Sequence, residues 1–104
     1  MSESNFNELT PAQTELIALL MEECGELVQA CGKILRHGLD SFHPDTEISN
    51  REALVHEMGD VTAAMKMLCN NSIVDKEIVF EKSVNKLKRV REYLHHAKEQ
   101  HHDK

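Results

Sequence analysis

TPAQTELIALLMEECGELVQACGKILRHG, residues 10–38, decides the fold class. Thr10 can cap a helix, and Pro11 suits the first helical position because its missing N–H needs no partner there. Gln13 closes a capping box with Thr10. Leu16, Ile17, Leu20, Cys24, Leu27, Val28, Cys31 and Leu35 then recur every three or four residues, the period of a helix face. Gly38 ends the run. Lys33, Arg36 and His37 put cations in the last turns, where the helix dipole favours them. The spacing predicts a helix over 11–37.

The same devices recur downstream. Leu39 to Ile48, with Asp40, Ser41, Pro44 and Asp45, reads as a loop. Ser49 and Glu52 form a second capping box, and Leu54, Met58, Val61, Met65 and Leu68 make an apolar stripe that ends at Asn70-Asn71. Asp75 can cap a third helix carrying Ile78, Val79, Val84, Leu87, Val90 and Leu94, which frays in the polar, His-rich tail from His95 to Lys104. A break between Phe80 and Ser83 would divide it. No strand pattern competes. The expectation is an all-α bundle of three to four helices, one domain over 1–104 with its ordered part over about 10–96.

Composition narrows the functions. A lone domain of 104 residues buries well under about 70% of the surface its unfolded chain exposes, so its core is thin. Assembly as a homodimer or homotetramer would relieve that shortage. The net charge of −6, 4% aromatic content and absence of tryptophan argue against nucleic acid as a partner. No run approaches the roughly 18 apolar residues of a membrane span. Met1 to Glu8 is polar and acidic, unlike a signal peptide, so the expected location is cytoplasmic. Cys24, Cys31 and Cys69 are odd in number and lack CxxC spacing. They read as reduced thiols, with Cys24 and Cys31 turned together into the core.

The chemistry lies in two acidic pairs. The first helix carries Glu22-Glu23-Cys24-Gly25-Glu26 and the second Glu57-Met58-Gly59-Asp60. Acids three apart lie about 60° from each other on one helix face, so Glu23 pairs with Glu26 and Glu57 with Asp60. One turn out along the same faces stand Leu19, Ala30, Ala53 and Ala64, where a solvated face would carry Lys, Glu or Gln. Gly25 and Gly59 each precede the second acid, although glycine in a helix costs about 1 kcal/mol relative to alanine. The shared pattern suggests helices that face each other closely, with converging carboxylates. Converging carboxylates raise one another's pKa unless a counter-charge is supplied. A hard divalent cation supplies it. Four acids exceed what one Mg²⁺ takes, so two or more ions per site are expected, with phosphate oxygens and water filling the remaining positions.

LMEECGELVQACGKILRHG, then HEMGDV, then KLKRVREYLHH together resemble the MazG-like all-α nucleoside triphosphate pyrophosphohydrolase superfamily. The likeness is to the short, single-domain versions of bacteriophages and bacteria, and spans residues 11–96. It implies that Glu23, Glu26, Glu57 and Asp60 hold Mg²⁺, for which Mn²⁺ can substitute. It implies that Glu22 supports the ligands or orients the attacking water, as Glu23 also helps to do. The implied reaction cleaves the α–β anhydride of a (d)NTP, giving the monophosphate and pyrophosphate, in a bundle that pairs or forms tetramers.

The third helix offers Lys82, Asn85, Lys86 and Arg89 on one side, donors suited to the β and γ phosphates. Phe6, Phe42 and Tyr93 are the aromatics that could stack on a base, although core or dimer contacts account for each more readily; His56, beside Glu57, could support a ligand or be an ordinary exposed histidine, and His95-His96 and His101-His102 suit only adventitious metal. Phosphoribosyl-ATP pyrophosphohydrolases share both acidic motifs but generally carry an aromatic three residues past the Asp, where this chain has Ala63. That activity, and a non-catalytic metal- or nucleotide-binding bundle, remain the alternatives.

Overall fold

The computed structural model describes residues 6–42 and 44–97. Met1–Asn5 of the acidic N-terminus, His43, and the tail from 98 onward with His101-His102 lie outside them. Three α-helices follow in order, α1 (Pro11–His37), α2 (Asn50–Asn70) and α3 (Lys76–Val90), then a 3₁₀ turn over Arg91–Tyr93. The described residues contain no strand, only an isolated bridge between Phe42 and Ser49. The chain divides at Ile73/Val74 into two compact units, the first holding α1 and α2 and the second α3 and the 3₁₀ turn.

The helix starts are built as the sequence predicts. Thr10 Oγ1 accepts from the Gln13 N–H at 3.0 Å, while Gln13 Oε1 accepts from the Thr10 N–H at 2.9 Å. Ser49 and Glu52 repeat the exchange at 3.0 Å in both directions. Asp75 Oδ1 accepts from the N–H groups of Glu77 and Ile78 at 2.8 and 3.2 Å. Each cap satisfies backbone donors that the helix itself leaves unpaired, and contributes about 1 kcal/mol. Gly38 closes α1 at φ +90°, a left-handed conformation that L side chains rarely adopt, and its N–H bonds the Ile34 carbonyl at 2.7 Å. No break divides α3. Ser83, at the end of the stretch where a break was expected, turns its hydroxyl back onto the Phe80 carbonyl at 2.7 Å and stays within the helix.

In the first unit, α1 and α2 form a hairpin. The Asn50 N–H reaches the Ser41 carbonyl and the Arg51 N–H the Leu39 carbonyl, both at 2.8 Å, and Asn50 Nδ2 donates to the Gly38 carbonyl at 3.0 Å. Arg51 also grips Asp40 with two N–H donors at 3.2 and 3.3 Å. That pair is exposed and worth about 0.2–1 kcal/mol, so its role is to fix the loop more than to stabilise the unit. These bonds set the end of α1 beside the start of α2, and the two helices run antiparallel. Leu16 and Ala30 of α1 and Ala64 and Leu68 of α2 are buried, with Leu20, Leu27, Ile34, Leu54 and Val61 half-buried.

Two expectations are corrected. Cys24 and Cys31 are exposed and Cys69 half-buried. Cys24, Val28, Cys31 and Leu35 lie about 100° round α1 from the line of Leu20, Leu27 and Ala30, and the hairpin covers only that second line. Met58 and Met65 of α2 stay exposed for the same reason. Nor do Gly25 and Gly59 mark a close approach of α1 to α2. A Cβ built on either meets nothing within 4 Å. A residue directly before the second acid is turned about 100° from it, which carries both glycines away from the seam.

Candidate metal centre

The hairpin brings the two acidic pairs together. Glu23 and Glu26 of α1 and Glu57 and Asp60 of α2 each offer a carboxylate oxygen, and the four atoms lie within 4.8 Å of one another. The bracketing residues explain the placement: Ala30 and Ala64 are buried, and Leu19 and Ala53 half-buried, so the acids share the faces on which the helices pack. Glu23, Glu57 and Asp60 are half-buried, whereas Glu22 and Glu26 are exposed. Small side chains at 30, 53 and 64 leave the carboxylates room between the helix axes.

The electrostatics are those of an uncompensated cluster. Burial, and then the charges of Glu26, Asp60, Glu22 and Glu57, hold the Glu23 carboxyl above its ordinary pKa. Glu23 Oε1 and Glu57 Oε1 are shut off from solvent and have no hydrogen-bond partner. Natural proteins rarely leave buried polar atoms so. Oxygen-only donors, two of them orphaned, fit a hard divalent cation, which would satisfy both atoms and cancel the repulsion. His56 adds a nitrogen. Its Nε2 lies 3.4 Å from Asp60 Oδ2, and with Glu57 and Asp60 it makes a second group whose ligand atoms are within 4.8 Å. The sequence offered His56 as a support for a ligand or as an ordinary exposed helix histidine; it is exposed and stands within this group.

Among the described residues, a smaller and a larger half-open cavity lie beside the acids, each lined wholly by the first unit. The smaller one, of about 240 Å³, includes Glu26, Ala30, Lys33, Asn50 and Glu57 in its lining. The larger one, of about 900 Å³, shares Lys33, Asn50 and Glu57 and extends to Arg36, Phe42 and Ile48. In the sequence Lys33 and Arg36 explain themselves as partners of the helix dipole, and nothing in their spacing points to a cavity. Phe42, one of the three candidate aromatics, does stand in a cavity wall. Phe6, at 99% exposure, does not line either cavity. Lys82, Asn85, Lys86 and Arg89 form one exposed face of α3 within the second unit, as does the 3₁₀ turn's Tyr93 its own exposed position there.

An all-α chain whose first two helices cradle four carboxylates defines a class of acidic-centred helical proteins. Within that class the chain belongs to the MazG nucleotide pyrophosphohydrolase domain family, whose pattern matches residues 12–95. The match takes in both acidic pairs and the whole of α3. No curated protein and no solved structure gives a significant match. Family membership carries nucleotide pyrophosphohydrolase activity in general terms. No helix among the described residues is long and apolar enough to cross a membrane.

Proposed function

We propose that this protein is a Mg²⁺-dependent nucleoside triphosphate pyrophosphohydrolase that cleaves (d)NTPs at the α–β anhydride, releasing (d)NMP and pyrophosphate. The observation that supports this reading most is the convergence of Glu23, Glu26, Glu57 and Asp60 from two helices, with two orphaned oxygens, in a chain of this family. Those four residues would hold the metal, two or more ions per site, with Mn²⁺ able to substitute. When bound, the metal supplies Lewis-acid neutralisation of the phosphate charge and activates water.

The chain's own residues do the rest. Glu22, one turn before Glu26 and close enough for its charge to act on Glu23, is suited to orient the attacking water and receive its proton. Glu23 assists from within the ligand set. The exposed face of Lys82, Asn85, Lys86 and Arg89 on α3 offers donors for the β and γ phosphates, whose charge rises as pyrophosphate leaves. The apolar residues that the hairpin leaves uncovered, among them Met21, Val28 and Leu35 at 70–88% exposure, are suited to a second copy of the chain, as a homodimer or within a homotetramer. Three free thiols fit a reducing compartment such as the cytoplasm.

The test is pyrophosphate release from a panel of NTPs and dNTPs with and without Mg²⁺, beside Glu57→Ala. Metal-dependent release by the wild type alone supports the reaction. A folded, Mg²⁺-binding protein that releases none from any nucleotide rules it out in favour of phosphoribosyl-ATP or a binding role.

A further inference from the structure

His56 brings the acidic centre a donor of a kind that its four carboxylates lack. Two groups of ligand atoms share Glu57 and Asp60. The four acids form one group and His56 with that pair forms the other, each with its atoms within 4.8 Å of one another. His56 and Asp60 stand one turn apart on α2, the spacing that sets two side chains over a single ion on one helix face. His56 Nε2 lies 3.4 Å from Asp60 Oδ2. That is longer than the roughly 2.7–3.2 Å of a good N–H···O bond. It does match two ligands of one ion, which stand roughly 3.0–3.4 Å apart when each is about 2.1 Å from the metal.

The two groups also open on different spaces. His56 and Glu57 line the larger cavity, whereas Glu26 lines the smaller one with Glu57. Glu57 Oε1 is shut off from solvent without a hydrogen-bond partner, so the carboxylate common to both groups has an oxygen in need of a cation. Their chemistry differs in the same way. Mg²⁺ takes oxygen ligands and keeps its water, which suits the four acids. An imidazole nitrogen added to two carboxylates suits a first-row transition ion better. His37 shares the larger cavity but belongs to neither group.

We propose that the centre has two unlike ion positions: an oxygen-only one for Mg²⁺, and one formed by His56 Nε2 with Glu57 and Asp60 that prefers a first-row transition dication such as Mn²⁺. The inference rests on the proposed metal-dependent reading and deepens it. Mn²⁺ becomes the favoured occupant of one position, where it was a general substitute.

The experiment is pulsed electron paramagnetic resonance of the full chain with a substoichiometric amount of Mn²⁺ in excess Mg²⁺ and no nucleotide, repeated on His56→Gln. A strong nitrogen modulation of the Mn²⁺ echo comes from a ligating imidazole, and carboxylates and water do not give it. Glutamine keeps an oxygen donor and suits a helix, and His56 is exposed, so the variant should fold; its melting temperature checks this. The expected result is nitrogen modulation in the wild type and none in the variant. Mn²⁺ affinity in competition with Mg²⁺ should fall roughly tenfold or more, since even groups behind metal ligands cost about 10–100-fold. Mg²⁺ binding to the Mn²⁺-free chain, followed by calorimetry, should stay as in the wild type. A wild type without nitrogen modulation would leave His56 only an exposed partner of Asp60 and overturn the inference. So would a modulation that persists in His56→Gln, which would belong to another histidine, or an equal loss of Mn²⁺ and Mg²⁺ affinity. The two readings fail separately. Pyrophosphate release without the nitrogen signal removes the second position and leaves the reaction, while the signal in a chain that releases no pyrophosphate does the reverse.

Discussion

α1 carries two largely apolar stripes, which differ in their cover and in one inward-facing acid. The stripe that packs against α2 runs Leu16, Leu20, Glu23, Leu27, Ala30 and Ile34, with a half-buried acid at its middle. About 100° round the helix, Met21, Cys24, Val28, Cys31 and Leu35 are apolar without exception, and all are exposed. A chain stabilised only as a hairpin would carry an apolar residue in place of Glu23 and polar residues along the uncovered line. The inner stripe gives up stability to gather charge, which points to chemistry. The outer stripe leaves apolar surface in water, which points to association. On the proposed reading, one helix divides its sides between a reaction and a partner.

Removing the inner charge should give the largest effect. Glu57→Ala is expected to lower metal-dependent pyrophosphate release by more than about a hundredfold, since even groups that merely support metal ligands cost 10–100-fold. Its metal-free melting temperature should equal or exceed that of the wild type, because a repelling charge has gone. Mg²⁺ should raise the melting temperature of the wild type and not of the variant. A variant that melts well below the metal-free wild type would mean that the acids stabilise the hairpin, and the contrast between the stripes would fail.

Charging the outer stripe tests its other half. Val28→Asp is expected to weaken self-association by about 2 kcal/mol or more, roughly thirtyfold in Kd, as for a residue central to an interface. Sedimentation equilibrium reads this directly. A wild type that is monomeric at all accessible concentrations would remove the second copy from the account.

A pH series separates the stripes without mutation. The folded pKa of Glu23 is raised, by burial and then by its acidic neighbours, so the native chain holds this proton more tightly than the unfolded one. Stability from Glu23 is therefore fully present below its unfolded pKa and is lost as pH rises through the higher folded value. The metal-free melting temperature should fall over that interval, and saturating Mg²⁺ should remove the decline. A melting temperature that rises with pH throughout the interval would contradict the assignment.

The smallest expected effect concerns the two glycines. With open space around both Cβ positions, Gly25→Ala and Gly59→Ala should each stabilise the isolated hairpin by up to about 1 kcal/mol in chemical denaturation. If either variant instead loses association, the glycine is where a second copy approaches the backbone.

The helices and their ends were legible in the sequence because their causes are local. Thr10 with Gln13, Ser49 with Glu52, Asp75 and Gly38 act on backbone groups within a few residues, so a short window contains the whole interaction. The convergence of Glu23, Glu26, Glu57 and Asp60 was legible for a related reason: spacing sets each acid's face, and the small or apolar residues a turn away mark that face as packed. The apolar period could not say which of two neighbouring stripes is covered. That is why Cys24 and Cys31 were expected inside and lie outside. Burial depends on which partner arrives, and one helix can cover only one line. The same holds for Lys33, Arg36 and Phe42, which line one cavity only because the loop folds back, with Asn50 on Gly38 and Arg51 on Asp40. By itself the sequence determined the helices, the belonging of the chain to its family and the four acids. Only the tertiary structure decided which face of α1 is sheltered and what surrounds the acids, because those depend on contacts between residues far apart in the chain.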